Sequence, residues 1–182
     1  MKHLNLSAIA LAAWLLVTTS AYSQELPDLN AVPKRTPFNF PFGSPINLEQ
    51  AQALIQAGIA EANKRGWPED FAVVDWSGHL VAFARMDGAQ LGSIAIAEHK
   101  ARTAVEFRRP TSSFETGVQK YGFNYLLSFD DIIAVGGGIP LVQDGKIVGG
   151  IGCSGGTTSQ DVVLCKAVLG APYVKSFSTL GP

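Results

Sequence analysis

Histidine, cysteine and basic runs are scarce in this chain, and each scarcity removes a class of function. Its 182 residues include three histidines and two cysteines. No CxxC, no HExxH and no calcium-binding loop occurs, so the familiar zinc and calcium signatures are missing. Charged residues make up 16%, and the formal net charge is −1. Such a balance provides no field for gathering nucleic acid or an acidic membrane surface. A long apolar stretch is lacking too. Leu4 to Val17 is the best candidate, and it falls short of the ~20 residues that a spanning helix needs. No repeat of 20–50 residues appears, which excludes a solenoid.

What is present begins with the N-terminus. Lys2 and His3 form a basic start, Leu4 to Val17 an apolar core, and Thr18 to Ser23 a run of mostly small residues. That order predicts a signal peptide over residues 1–23, cleaved before Gln24, and hence a secreted or periplasmic protein with no membrane span after cleavage. Residues 24–182 then have the size of one domain. Both cysteines, Cys153 and Cys165, pass into a compartment where disulfides form, and whether they pair depends on geometry that sequence leaves open.

Residues 24–46 carry Pro27, Pro33, Pro37, Pro41 and Pro45. Prolines fix φ and bias their predecessors to extended backbone, which predicts an extended arm. Phe38, Phe40 and Phe42 alternate along it and would lie on a surface. Asn47 with Gln50 forms a capping box ahead of a helix from Leu48 to Arg65, stopped by Gly66 and Pro68. Phe71–Asp75 and Leu80–Ala84 read as a hairpin turning at Ser77-Gly78. A second helix covers Ser93 to Phe107, and Thr111 to Leu127 holds one or two short helices. Ile132–Val135, Pro140–Gln143 and Lys146–Ile151 read as strands, the last two joined by Asp144-Gly145. Thr157 or Thr158 caps a final helix ending near Leu169. The expected fold is therefore α+β, a five-stranded, mostly antiparallel sheet flanked by helices over residues 47–170, with residues 171–182 as a C-terminal tail.

Two motifs fail on context. Gly150 to Gly155 matches the dinucleotide fingerprint GxGxxG, but no strand follows the next helix and position 175 is Lys175 where an acid is needed. Gly152 to Gly156 fits the nucleophile elbow, yet no histidine follows His99 in the chain. The glycine-rich turn at Gly155 and Gly156 can still offer bare amides to an anion, although close packing of strand on helix explains it more simply. His79, just after a tight turn, reads as a surface histidine. Helix 93–107 is more informative. Ile94, Ala97, Ala101, Ala104 and Val105 share a sheet-facing stripe, whereas Ile96, His99, Thr103 and Phe107 gather on the opposite side. That second stripe calls for a partner subunit or a flat apolar ligand. Arg108 and Arg109 close the helix, placed to meet carboxylates.

The segments FAVVD (71–75), GHLVAFARMDGA (78–89), KARTA (100–104), RPT (109–111), GGGIP (136–140) and GCSGGT (152–157) resemble, in order, the GlcG/HbpS family. The resemblance covers about residues 47–170 and implies a five-stranded antiparallel sheet with helices. It also implies oligomers, frequent export and, in some members, haem binding or degradation. A related domain ends a class of corrinoid adenosyltransferases. The Glu-x-x-Glu pair of the iron-binding variants is absent here, and Cys153 replaces a small apolar residue.

Three readings follow. The first is a haem- or tetrapyrrole-binding protein, with His99 as axial ligand, Thr111 as a second choice, and Thr103, Arg108, Arg109, Gly155 and Gly156 around a tetrapyrrole or other anionic metabolite. The second is a non-catalytic accessory subunit, a homo-oligomer in which the arm of one copy covers another. The third is a small-molecule or haem-degrading enzyme using Cys153 or the glycine-rich turn, which no acid–base constellation supports.

Overall fold

The computed structural model describes residues 32, 34, 38–171, 177 and 178. The expected signal peptide and most of the C-terminal tail lie outside the described residues. Along the chain come α1 (Leu48–Arg65), β1 (Asp70–Asp75), β2 (Leu80–Arg85), α2 (Ser93–Glu106), α3 (Ser112–Tyr121), a 3-10 turn (Asn124–Ser128), β3 (Gly138–Gln143), β4 (Lys146–Ser154) and α4 (Thr158–Leu169). The strands form one antiparallel sheet in the order β2-β1-β4-β3. No helix among the described residues is long and apolar enough to cross a membrane.

Local chemistry explains the boundaries. Asn47 and Gln50 satisfy one another's amides at the start of α1, and Gly66, at φ 66°, closes it. Thr157 and Gln160 repeat the device at α4. Asp144 and Gly145 both take positive φ, 50° and 73°, the geometry of a tight turn whose twist matches that of the flanking strands. Pro140 is tolerated because β3 is an edge strand.

The sheet is buried on both faces. Phe71, Val73, Ile139, Leu141, Ile151 and Cys153 face a core completed by α1 and α4. Ala72, Val74 and Ile147 face α2 through Ala97, Ala101 and Val105. Helix α2 lies almost on the backbone of β4. A Cβ on Gly152 would collide with the carbonyl of Ala97, and one on Gly150 would sit 2.6 Å from that of Ala101. A disulfide joins Cys153 of β4 to Cys165 of α4 across the α4 side of the sheet, and both residues are buried.

Two expectations are corrected. Ile132–Val135 is not a fifth strand. The amide of Ile132 bonds to the carbonyl of Phe129 and that of Ile133 to the hydroxyl of Thr103, which leaves the segment a loop folded over α2. The free edge of β3 instead meets the tail in one isolated bridge, Val142 to Ser178. The outer stripe of α2 holds only in part, since Ile96 is exposed and His99 and Phe107 are half-buried. Thr103 and Lys100 are fully buried. Thr103 donates to the carbonyl of Asp131 while its oxygen accepts from Ile133.

The arm, in its described part, lies on its own domain. Gly43 donates to Ile147, Ile147 to Pro41, and Ile46 to Val148. It thereby takes up β4 positions that β1, ending opposite Gly149, leaves unpaired.

Candidate functional site

A cavity of about 900 Å³ opens beside the start of β3. Its construction begins where α2 ends. Arg108 adopts φ 53° and turns the chain sharply, so that Arg109 and Pro110 run back toward the sheet. Thr111 then pins the new direction. Its amide donates to the carbonyl of Gly138 at 3.0 Å, and its hydroxyl oxygen accepts from the Gly138 amide at 2.8 Å. Helix α3 departs from that clamp, buries Phe114, and stops at Gly122 with φ 69°. The following turn folds back on Gly117, where an added Cβ would lie 3.1 Å from Leu126.

The result is a wall of rings. Tyr121 and Phe123 have centroids 5.7 Å apart, Phe123 and Tyr125 5.8 Å, and Tyr125 and Phe129 6.4 Å. Gly137, Gly138 and Ile139 form the floor, Val162 and Lys166 of α4 the far side, and Phe38 of the arm one edge. Glu115 braces the frame from behind, accepting from the Gly136 amide and from the Thr158 hydroxyl.

Arg109 is the half-buried cation of this largely apolar space, with exposed Lys166 on the far side. Its guanidinium carbon lies 4.1 Å from the centroid of Phe38 and 4.5 Å from that of Phe114. Nε is buried without a hydrogen bond. Burial pushes the guanidinium down from its ordinary value, with Tyr125 opposing that shift, but an arginine side chain keeps its charge. A partly desolvated cation against two rings, with a donor unspent, has the chemistry to receive an anion.

The other expected site residues are placed elsewhere. Among the described residues lining the cavity there is no histidine, cysteine, methionine or carboxylate. His99 is half-buried on α2 and does not line the cavity. Thr103 supports the loop over α2. Thr111 lies beneath the cavity wall as the clamp described above. Arg108 faces the arm, donating to Phe40 and Asn39. Gly155 packs on Glu69, and the Gly156 amide is taken by Asp161, so the glycine-rich turn serves packing and an internal carboxylate. His79 is exposed and bonded to Ser77. Among the described residues no cluster of three or more His, Cys, Asp or Glu could hold a metal. The rings of residues 121–129 were the missed signal: Tyr121, Phe123, Tyr125 and Phe129 concentrate there without helical periodicity.

Behind the floor lies a buried ionic cluster. Lys100 Nζ is 2.6 Å from Asp161 Oδ2 and donates to the Cys153 carbonyl at 3.1 Å. Glu69 and Asp70 are also fully buried; no N–H or hydroxyl group reaches their carboxyl oxygens, and the Glu69 carboxyl lies against that of Asp161. Burial first, and then neighbouring Asp161, pushes the Glu69 carboxyl up to about 9, with Lys100 opposing. Burial likewise pushes Asp70 up to about 6, with Arg85 opposing. An acid whose folded pKa is raised holds a proton that the unfolded chain releases. Stability is therefore lost as pH rises from the ordinary value through the raised one. Glu69→Gln should remove the decline that extends up to about 9 and leave the Asp70 decline, from 3.8 to about 6, with that of Glu106, whose carboxyl burial also pushes up. Thermal melts of both proteins across that range check this. A wild-type midpoint that rises toward high pH would contradict it.

Fold and cavity together define a small α+β module built around a ring-lined space with a half-buried arginine in its lining. Residues 46–170 match the family of HbpS-like haem-degrading proteins, and the chain belongs to that GlcG/HbpS family. Protein GlcG of Escherichia coli K12 is 38% identical over 109 residues, covering 60% of this chain and 81% of GlcG. The crystal structure of a double mutant of HbpS from Streptomyces reticuli is 28% identical with a TM-score of 0.64, covering 79% of this chain and 97% of that one. A crystal structure of PduOC in complex with haem is 27% identical with a TM-score of 0.63, covering 75% and 97%. The α+β fold with an antiparallel sheet is shared with these neighbours.

Proposed function

We propose that this protein binds haem or a related tetrapyrrole in the ring-lined cavity, with its carboxylates on Arg109 and at the rim near Lys166. The observation that carries this reading is the cavity itself. Its volume lies in the range of small-molecule sites, its walls are flat rings suited to a flat macrocycle, and its half-buried cation carries an unspent donor. The haem-bound relative supports the ligand class. Haem fits the cavity through its macrocycle and propionates. His99, off the cavity, does not supply an axial ligand on this reading. Tyr121 and Tyr125 are the lining side chains with iron-ligating chemistry.

Ligand capture, as opposed to turnover, suits a lining whose described residues are mostly rings and carry no histidine or carboxylate. Export belongs to the same reading. The N-terminal sequence has the order of a signal peptide, and the buried disulfide suits an oxidising compartment. Self-association is supported by the exposure of Tyr125, Leu127 and Phe129 on one turn.

Titration with hemin should give a saturable, shifted Soret band. The dimethyl ester, whose masked propionates cannot pair with Arg109, should bind about tenfold more weakly. A hemin spectrum unchanged by protein would overturn the proposal, and equal affinity for the ester would remove Arg109 from it.

A further inference from the structure

The arm residue that borders the cavity lies outside residues 46–170, the part matched to the family, so nothing in that match assigns it a role. Phe38 is held in a way that packing alone does not explain. Its φ is 57°, a left-handed conformation that bulky side chains rarely adopt and that persists where surrounding structure enforces it. The ring stays 39% exposed. Its contact is the guanidinium of Arg109 at 4.1 Å, which also lies 4.5 Å from the Phe114 centroid.

Anchoring of the arm is uneven. From Pro41 to Ile46 it is bonded to β4 through three backbone hydrogen bonds. At Phe40 and Phe42 it is held by Arg108, which donates to the Phe40 carbonyl at 3.1 Å and lies 4.6 Å from the Phe42 centroid. Phe42 in turn packs on Trp76 with centroids 5.8 Å apart. Beyond that clamp, no backbone hydrogen bond ties Phe38 to the domain among the described residues. The described part of the arm thus runs from a base bonded to β4 to the Phe38 ring, and that ring sits on Arg109.

We propose that the arm completes the ligand site, with Phe38 as a hinged cover that shields Arg109 when the site is empty and packs against the flat ligand when it is full. This rests on the reading of the cavity as a tetrapyrrole site. Adjacent Arg108 and Arg109 divide the work: Arg108 holds the base of the arm, and Arg109 is exchanged between the Phe38 ring and a ligand carboxylate. The cover favours a ligand that is both flat and anionic, since a flat face can replace the contacts of Phe38 and a carboxylate can use the donor it uncovers.

The test separates the cover from the ligand. Phenylglyoxal labelling of the full mature protein, read by peptide mass, reports the exposure of each arginine without any ligand. In Phe38→Ala, Arg109 should label roughly five- to tenfold faster than in wild type, because reactivity follows the population of the uncovered state. Phe38→Trp, which restores a ring, should return it to the wild-type rate. Arg65, stacked on Trp67, is the internal reference and should not change. In stopped flow, hemin should associate and dissociate faster with Phe38→Ala, more so in dissociation. Labelling of Arg109 that is the same in all three proteins would overturn the cover, even if hemin binds. Labelling that changes as expected in a protein that binds no hemin would uphold the cover and overturn the ligand.

Discussion

Lys100→Ala should lower the unfolding free energy by about 3–5 kcal/mol, the cost of stranding a buried charge. Lys100 is 1% exposed and lies 2.6 Å from Asp161. It also satisfies the Cys153 carbonyl beside the disulfide that ties β4 to α4. Without the ammonium, Asp161 keeps only the Gly156 amide among these partners, with Glu69 beside it and no cation between them. The geometry cannot relax easily. The Lys100 carbonyl lies against Gly138 and its Nζ against Gly137, so the floor of the cavity rests on this residue. Lys100→Met isolates the electrostatic part, because it preserves most of the volume. Lys100→Met with Asp161→Leu removes both charges and should recover a good part of the loss, a coupling that a double-mutant cycle measures. Urea denaturation supplies the numbers. A loss below about 1 kcal/mol for Lys100→Ala, the range of an exposed pair, would contradict the buried-cluster account.

Nothing in the sequence announced that cluster. Lys100 stands on a helix face that a regular wheel places beside solvent, and Glu69 and Asp70 look like a polar strand entry. They are buried because β4 is built from glycines. With Gly150 and Gly152 opposite, α2 approaches so closely that its flanks, with Lys100 and Thr103, sink below the surface. The same closeness turns Ile132–Val135 into a cover for α2, although its β-branched composition reads as strand. Local signals fared better where local chemistry decides. The Asn47–Gln50 box, the Thr157–Gln160 box and the Asp144-Gly145 turn place three boundaries from side chains within four residues of each other.

The cavity was legible only in part. Arg109 stood out as a cation at a helix end, and it is the one expected ligand residue that the structure brings to the cavity. His99 stood out because an imidazole suits haem iron, but it is not among the residues that line the cavity. The cavity comes from α3, a 3-10 turn, the start of β3, α4 and the arm, elements up to 128 positions apart from Phe38 to Lys166. No periodicity within one segment can show such an assembly, and only the density of aromatic residues at 121–129 hinted at it.

The central claim is that the ligand occupies this cavity, and filling the cavity tests it most directly. Ser113 is a half-buried lining residue on α3. Its amide bonds to the Pro110 carbonyl, so the helix start does not depend on its side chain. In Ser113→Trp the indole should project into the space and compete for it while leaving the fold intact, as judged by far-ultraviolet circular dichroism and melting temperature. A hemin titration of this variant beside wild type is the decisive measurement. The account predicts that folded Ser113→Trp loses affinity by about a hundredfold or more, equivalent to about 2.7 kcal/mol. A folded Ser113→Trp protein that binds hemin as tightly as wild type would place the ligand elsewhere and contradict the account.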